Sequence, residues 1–166
     1  MSNKFYKMIE RTMPFEGGYL SPEEAARQGD PGGETHWGIS RRAFPHVDIK
    51  NLTRDQAIQI YRTEYWAKVK GDELPDAIAY AMLDAAINSG WERSIMWLQK
   101  AVGVADDGKF GPITRAAVAA ANPADMMLKI VSYRLDFMSR LQNWSTNSRG
   151  WARRIAMILL YGAEDN

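Results

Sequence analysis

The chain has 166 residues, 46% of them hydrophobic and 25% charged, which suits one compact domain, or one with a small appended lobe, and excludes extensive disorder. With no cysteine, a disulfide framework and a thiolate zinc site are excluded, and only two histidines leave a histidine-based metal site short of ligands. A formal net charge of +1 lacks the electrostatic footprint of a duplex nucleic-acid binder.

Met1 to Met13 is amphipathic and interrupted by charges, without the apolar segment and small-residue cleavage site of a secretory signal. The longest strongly apolar run, Ile155 to Tyr161, is far too short to span a bilayer. Synthesis and folding in the cytoplasm are expected, with no stable membrane insertion and with a monomer as the working unit.

Ser2 or Asn3 can cap a first helix whose Phe5, Ile9 and Met13 share a face, ending near Pro14. Glu16 then falls just past the negative end of the helix dipole, which disfavours a second anion and tends to raise a carboxyl pKa. A raised pKa is what a general acid needs near neutral pH. Residues 17 to 39 read as an irregular loop, with a short hairpin ending at Trp37 and Ile39, and a brief helical turn follows Ser40. Thr53 with Gln56 is a capping-box signature for a helix to about Trp66, with Ala57, Ile58, Tyr61 and Tyr65 inward. Pro75 fits the first turn of a helix through Asn88 that Gly90 closes, with Ile78, Met82, Ala85 and Ala86 as its buried stripe.

A further helix spans Trp91 to about Val102 and ends at Gly103; a turn-rich loop then leads to a short alanine-rich helix at Pro112. Asn122 and Pro123 open a long helix with Met127, Ile130, Tyr133 or Arg134, Phe137 and Leu141 at helical spacing. The polar stretch Asn143 to Ser148 separates it from a last helix containing Trp151, Ile155, Ile158 and Leu159. The fold expected is mainly α, a helical domain with one glycine-rich irregular loop or short hairpin near the N-terminus. The most plausible internal division falls near residue 90.

The segment Phe15 to Ile39 stands apart from this helical pattern. It holds Glu16 before two glycines and Tyr19, then Asp30, Gly32, Gly33, Thr35, Trp37 and Gly38. Glycines lose the most backbone entropy on folding and add nothing to a core, so such a density is costly as plain architecture. It permits unusual backbone angles and close approach of a ligand. A carboxylate at a helix end, followed by a glycine-rich loop with a second carboxylate and a hydroxyl, has the composition of a site.

These residues resemble glycoside hydrolase family 108. The run EGGY, then DPGGETHWGIS, is similar to the family's N-terminal signature, and Tyr65-Trp66, Leu83-Asp84 and Asn88-Ser89-Gly90 to its middle. Trp97-Leu98-Gln99, Asp107-Gly108 and Gly111-Pro112-x-Thr114 resemble the peptidoglycan-binding motif of the C-terminal half in such proteins. The spacer LSPEEAARQG between Tyr19 and Asp30 is longer and richer in charge than the family's short loop.

The resemblance implies a mainly helical, lysozyme-like muramidase, often a bacteriophage endolysin, that cleaves peptidoglycan glycan strands without a metal or other cofactor. It also implies a catalytic region over residues 1–90, a peptidoglycan-binding-like region over 91–166, and release to the wall through a holin-type pore. Glycoside cleavage needs a proton on the leaving oxygen and stabilisation of an oxocarbenium-like centre, which two carboxyl groups supply. Glu16 is the general acid in this reading. Asp30 is the second carboxylate, as a base orienting water or as an electrostatic partner, and Thr35 positions that water. The order glutamate, aspartate, threonine is similar to the triad of phage-type lysozymes, so inversion is expected by analogy.

Each assignment has a plainer rival. Asp30 before Pro-Gly-Gly is also an ordinary turn residue, and Glu23, Glu24 and Glu34 are solvated acids unless the loop folds back. Tyr19 and Trp37 are expected to stack against sugar rings, with Tyr19 nearest the acid, whereas Trp66 suits the core. Asp84 and Asn88, at i and i+4, either line the cleft as substrate contacts or form a satisfied buried network. The Asp106-Asp107-Gly108 loop lacks the ligand pattern of an EF-hand and reads as a turn. Arg149, Arg153 and Arg154 are a solvated helical face by default, or face anionic wall polymer. A lytic transglycosylase would use Glu16 without Asp30, and a non-catalytic peptidoglycan-binding module would need neither.

Overall fold

In the computed structural model, residues 3–15, 18–28 and 33–166 are described. Within them the protein is mainly α, with eight helices and one two-stranded sheet. The chain divides into two compact units: one lies within Tyr6–Glu64, and the other joins Tyr65–Asn166 to the first residues of helix α1, Asn3–Thr12.

The smaller unit begins with the remainder of α1, which buries Met8 and Ile9 and gives way to a 3-10 turn at Met13–Phe15. The spacer expected to be loop contains a seven-residue helix, α2, at Pro22–Gln28. Its cause is a capping box: the Glu24 N–H donates to Ser21 Oγ at 3.3 Å and the Ser21 N–H to Glu24 Oε2 at 2.9 Å, with Pro22 at the first helical position. From Pro22 to Arg27, Ala25 alone is buried, so the helix has little apolar periodicity to betray it.

Strands β1, Thr35–His36, and β2, Ile39–Ser40, form an antiparallel hairpin, with Leu20 bridged to the other side of Thr35. Trp37 and Gly38 sit at its tip with φ of 52° and 74°. Two positive φ values at the centre of a two-residue connection match the twist of the flanking strands. A single turn follows Ser40, whose carbonyl accepts from the Phe44 N–H at 3.0 Å. Helix α3, Arg54–Tyr61, starts at the expected Thr53–Gln56 capping box and continues as a π-helical turn through Trp66.

The larger unit is built around α4, Asp76–Ser89, in which every residue from Ala77 to Ala86 is buried. A helix apolar all round belongs at the centre of a bundle, and α4 packs against α5 (Trp91–Val102), α7 (Pro123–Ser139) and α8 (Trp144–Glu164). Gly90, φ 88°, turns the chain between α4 and α5, and Gly103, φ 75°, ends α5. Gly162 lets α8 come close to α4: a Cβ there would lie 3.0 Å from the Ala77 carbonyl oxygen and against the Met127 side chain. Trp66 belongs to this core, 1% exposed, and its indole lies where a Cβ on Gly71 would have to go.

One boundary in the larger unit differs from expectation, and one open alternative is resolved. Helix α8 starts at Trp144 and takes in most of the polar stretch, because Trp144 and Trp151 meet two turns apart (centroids 5.9 Å) and the Asn147 amide donates to the Asn143 carbonyl. On α7, of the pair Tyr133 or Arg134, the inward residue is Arg134, 2% exposed, whereas Tyr133 is 37% exposed.

In the α5–α6 connection, with α6 at Pro112–Ala120, the motif residues tie a knot. Buried Gln99 donates from Nε2 to Asp107 Oδ1 (2.8 Å), the Lys109 carbonyl (3.0 Å) and Thr114 Oγ1 (3.1 Å), and accepts from the Gly108 N–H (2.9 Å). Gly108 holds φ 73° there. The loop is therefore a turn organised by one buried amide, and Asp107, its carboxyl held below the ordinary range by Gln99 and the Lys109 N–H, is an acceptor within it.

Candidate active site

Glu16 and Asp30 lie outside the described residues. Of the other sequence candidates, Tyr19, Thr35 and Trp37 come together on the hairpin, and Asp84 and Asn88 lie on α4.

The hairpin cluster is built by backbone pairing. Reciprocal bonds between Leu20 and Thr35, 2.8 and 3.0 Å, place Tyr19 beside the Glu34–His36 segment. The Tyr19 hydroxyl donates to Glu34 Oε1 at 2.9 Å, and its ring meets His36 edge-on at 5.6 Å. Arg41 grips the other Glu34 oxygen through Nε (3.2 Å) and Nη2 (2.7 Å), and donates from Nη1 to the Val47 carbonyl at 2.6 Å. Charge-assisted bonds from Arg41, and then the Tyr19 bond, hold the Glu34 carboxyl below the ordinary range. The same contact raises the Tyr19 phenol, since losing its proton would set two anions side by side. Glu34 is thus a fixed anion, not a solvated acid, while Glu24 is spent on capping α2. Residue spacing alone gave no sign of the Glu34–Arg41 pair.

Thr35 donates its hydroxyl to the Gly33 carbonyl at 3.0 Å. The oxygen keeps its lone pairs, so toward a water it acts as an acceptor. Trp37 is pinned at both ends: its indole N–H donates to the Leu52 carbonyl (3.2 Å), and its own carbonyl accepts from the Tyr61 hydroxyl (2.9 Å). Its ring stacks on His36 at 5.3 Å. A tryptophan at positive φ is strained, and it is held there by contacts from α3 and the segment before it.

Asp84 is fully buried, its Oδ1 2.6 Å from Arg154 Nε and its Oδ2 2.6 Å from Arg134 Nη1. This is the buried network of the two alternatives, and it corrects the placing of Asp84 among substrate contacts: a side chain with no exposed surface has no face for a sugar. Arg154 likewise leaves the expected solvated face of α8 and pairs inward. Asn88 is exposed, anchored by its Nδ2 on the Asp84 carbonyl at 2.8 Å. The signal that could have revealed the network was Arg134 in line with the apolar residues of α7, opposite an acid on an apolar helix. Near the network, burial, and after it the Asp84 charge, push the Tyr80 phenol far above its ordinary value.

Comparison with known proteins gives these features a context. The glycosyl hydrolase 108 model matches residues 9–90, and a model described as a predicted peptidoglycan domain matches residues 93–156. The solved structure of SagA from Brucella abortus is similar at 35% sequence identity over 97% of this chain and 94% of that one, with a TM-score of 0.85. The chain belongs to glycosyl hydrolase family 108. It is therefore a glycoside hydrolase acting on peptidoglycan, with a lysozyme-like role. No curated protein matches it.

Proposed function

We propose that this family 108 enzyme is an N-acetylmuramidase that hydrolyses the β-1,4 bond between N-acetylmuramic acid and N-acetylglucosamine, with Glu16 as general acid. The observation that carries the reading is the family match over residues 9–90, which takes in the EGGY and DPGGET runs. Glu16 protonates the leaving oxygen of N-acetylglucosamine as the bond to C1 breaks. Asp30 takes a proton from the attacking water or faces the developing positive charge. In the first case Thr35, whose hydroxyl proton is already committed to Gly33, accepts the water's other hydrogen and directs a lone pair at C1, with inversion. Tyr19 and Trp37 offer aromatic surface to the sugars, with Trp37 held in its strained conformation for that purpose. Asn88 adds a polar contact. Glu34, with both oxygens occupied, shapes the hairpin and leaves the second-carboxylate role to Asp30.

The two family matches support a catalytic region up to residue 90 and a wall-binding region after it. An endolysin-type role, in which the folded enzyme reaches the wall through a separately made pore, belongs to the same proposal. Its test is the chemistry of the ends released from purified peptidoglycan. Reducing N-acetylmuramic acid ends support it, 1,6-anhydro ends mean a lytic transglycosylase, and binding without release means a non-catalytic module.

A further inference from the structure

Within the smaller unit, the segment before α3 and that helix line an open cleft of about 410 Å³. Its apolar part is Val47, Leu52 and Ile60; Leu52 is buried, while Val47 and Ile60 keep part of their surface exposed. Beside them stand the polar side chains of Asp48, Asn51, Gln56 and Gln59. A cleft of this size, with a few polar groups next to an apolar wall, has the usual form of a small-ligand site.

Most of these polar groups are preset by the fold. Gln56 spends its Oε1 on the Thr53 N–H (2.9 Å) and the Thr53 hydroxyl (3.1 Å), so its amide is oriented and its NH2 is left to donate. Asn51 donates from Nδ2 to Asp48 Oδ2 at 2.8 Å, which leaves its own Oδ1 to accept. The Asn51 side chain, and then its N–H, hold the Asp48 carboxyl below the ordinary range, so Asp48 is a fixed anion. The exposed Gln59 side chain makes no hydrogen bond among the described residues and offers both a donor and an acceptor. The wall itself is tied to the hairpin at three points. Arg41 Nη1 donates to the Val47 carbonyl (2.6 Å), His36 Nδ1 lies 3.2 Å from the Ile49 carbonyl oxygen, and the Trp37 indole donates to the Leu52 carbonyl (3.2 Å). The aromatic surface of Trp37 and the wall of the cleft therefore belong to one framework.

This lining selects among ligands. None of its side chains is cationic, and Asp48 repels carboxylates and phosphates; Arg41 and Lys50 favour the Asp48 anion but do not line the cleft. A wholly apolar ligand would strip the four polar groups of water without replacing their hydrogen bonds. An acetamido sugar satisfies both halves: its methyl covers Val47 and Ile60, its N–H donates to a carboxylate or amide oxygen, and its carbonyl accepts from an amide NH2. We propose that this cleft is a subsite for an N-acetylglucosamine residue of the glycan strand, with Gln59 donating to the acetamido carbonyl. N-acetylmuramic acid is the poorer fit, because its peptide stem brings carboxylates toward Asp48. The subsite rests on the peptidoglycan reading above and extends it to a sugar contact beyond Tyr19 and Trp37.

The test is an NMR titration of the isotope-labelled full chain, following the side-chain amides of Gln56 and Gln59, with tetra-N-acetylchitotetraose and with cellotetraose, which carries hydroxyls in place of the acetamido groups. Gln59→Ala and Gln59→Glu are the informative variants, because the exposed Gln59 side chain bonds to nothing in the described fold. The expected result is a shift of both amides with the acetylated sugar and little with cellotetraose. Read at Gln56, the apparent Kd should rise about fivefold in each variant, as for the loss of one hydrogen bond, because glutamate keeps the length of glutamine but not its donors. No shift at either amide, equal shifts with cellotetraose, or an unchanged affinity in Gln59→Ala overturns the proposal. So does full affinity in Gln59→Glu, since the donor is then not needed. Release of saccharide ends from purified peptidoglycan is assayed alongside: Gln59-dependent binding with no ends released keeps this subsite and loses the muramidase reading, and reducing N-acetylmuramic acid ends without that binding lose only the subsite.

Discussion

Arg154 on the last helix reaches back 70 residues to place its Nε 2.6 Å from Asp84 Oδ1 at the centre of the bundle. With Arg134 on the other oxygen, the pair of arginines ties α7 and α8 to α4 through one carboxylate. The contact fixes where α8 ends up.

Asp84→Asn removes the charge that compensates two inward arginines. A buried pair broken from one side costs about 3–5 kcal/mol, so the midpoint of urea unfolding should fall by that equivalent with little change in slope. Replacing all three residues by apolar side chains of similar volume should recover much of the loss, because no buried charge is then left over. A single variant within 1 kcal/mol or so of the wild type would contradict the account.

Gln99→Leu tests the knot at the start of α6. It leaves the Gly108 N–H without its acceptor and removes the two amide hydrogens that Asp107, the Lys109 carbonyl and Thr114 share, for a combined cost of about 2–3 kcal/mol. The Asp107 carboxyl, depressed first by Gln99 and then by the Lys109 N–H, should move back up toward the ordinary carboxylate range. Chemical denaturation reads the first effect and an NMR titration the second.

The hairpin should show opposite pH limbs at its two partners. Glu34 has a folded pKa below its unfolded one, so its contribution to stability is present above the unfolded value and is lost as pH falls through the folded one. Tyr19 is shifted up, so its contribution is present below the ordinary phenol value and is lost as pH rises through the folded one. Glu34→Gln should therefore differ most from the wild type at neutral pH and converge with it in acid. Tyr19→Phe should converge in alkali. Unfolding midpoints across pH, compared between each variant and the wild type, check both signs.

Helix ends were the most legible feature of the sequence. Thr53 with Gln56, Gly90, Gly103 and Asn122 before Pro123 all act locally, through a side chain or a backbone angle within a few residues, and each marks an end in the structure. The motif Gln99, Asp107-Gly108, Thr114 was legible as a unit, although not the hydrogen bonds that explain it. The capping box at Ser21–Glu24 was equally local, but it was obscured by a helix in which Ala25 alone is buried between Pro22 and Arg27. The positive φ of Trp37 was hidden because nothing in an indole favours that conformation; the Leu52 and Tyr61 contacts hold it. Asp84 was recognisable as a polar residue on an apolar helix, but its partners lie 50 and 70 residues away, and long-range pairing leaves no trace in local spacing.

The central claim is that Glu16 supplies the proton for muramidase chemistry, and the most direct measurement is mass spectrometry of purified peptidoglycan digested by the wild type and by Glu16→Gln. The account predicts fragments with reducing N-acetylmuramic acid ends from the wild type and a loss of at least about a hundredfold in their release by the folded variant, the lower range for removing a general acid. Unchanged release by Glu16→Gln, or anhydro ends from the wild type, would contradict it.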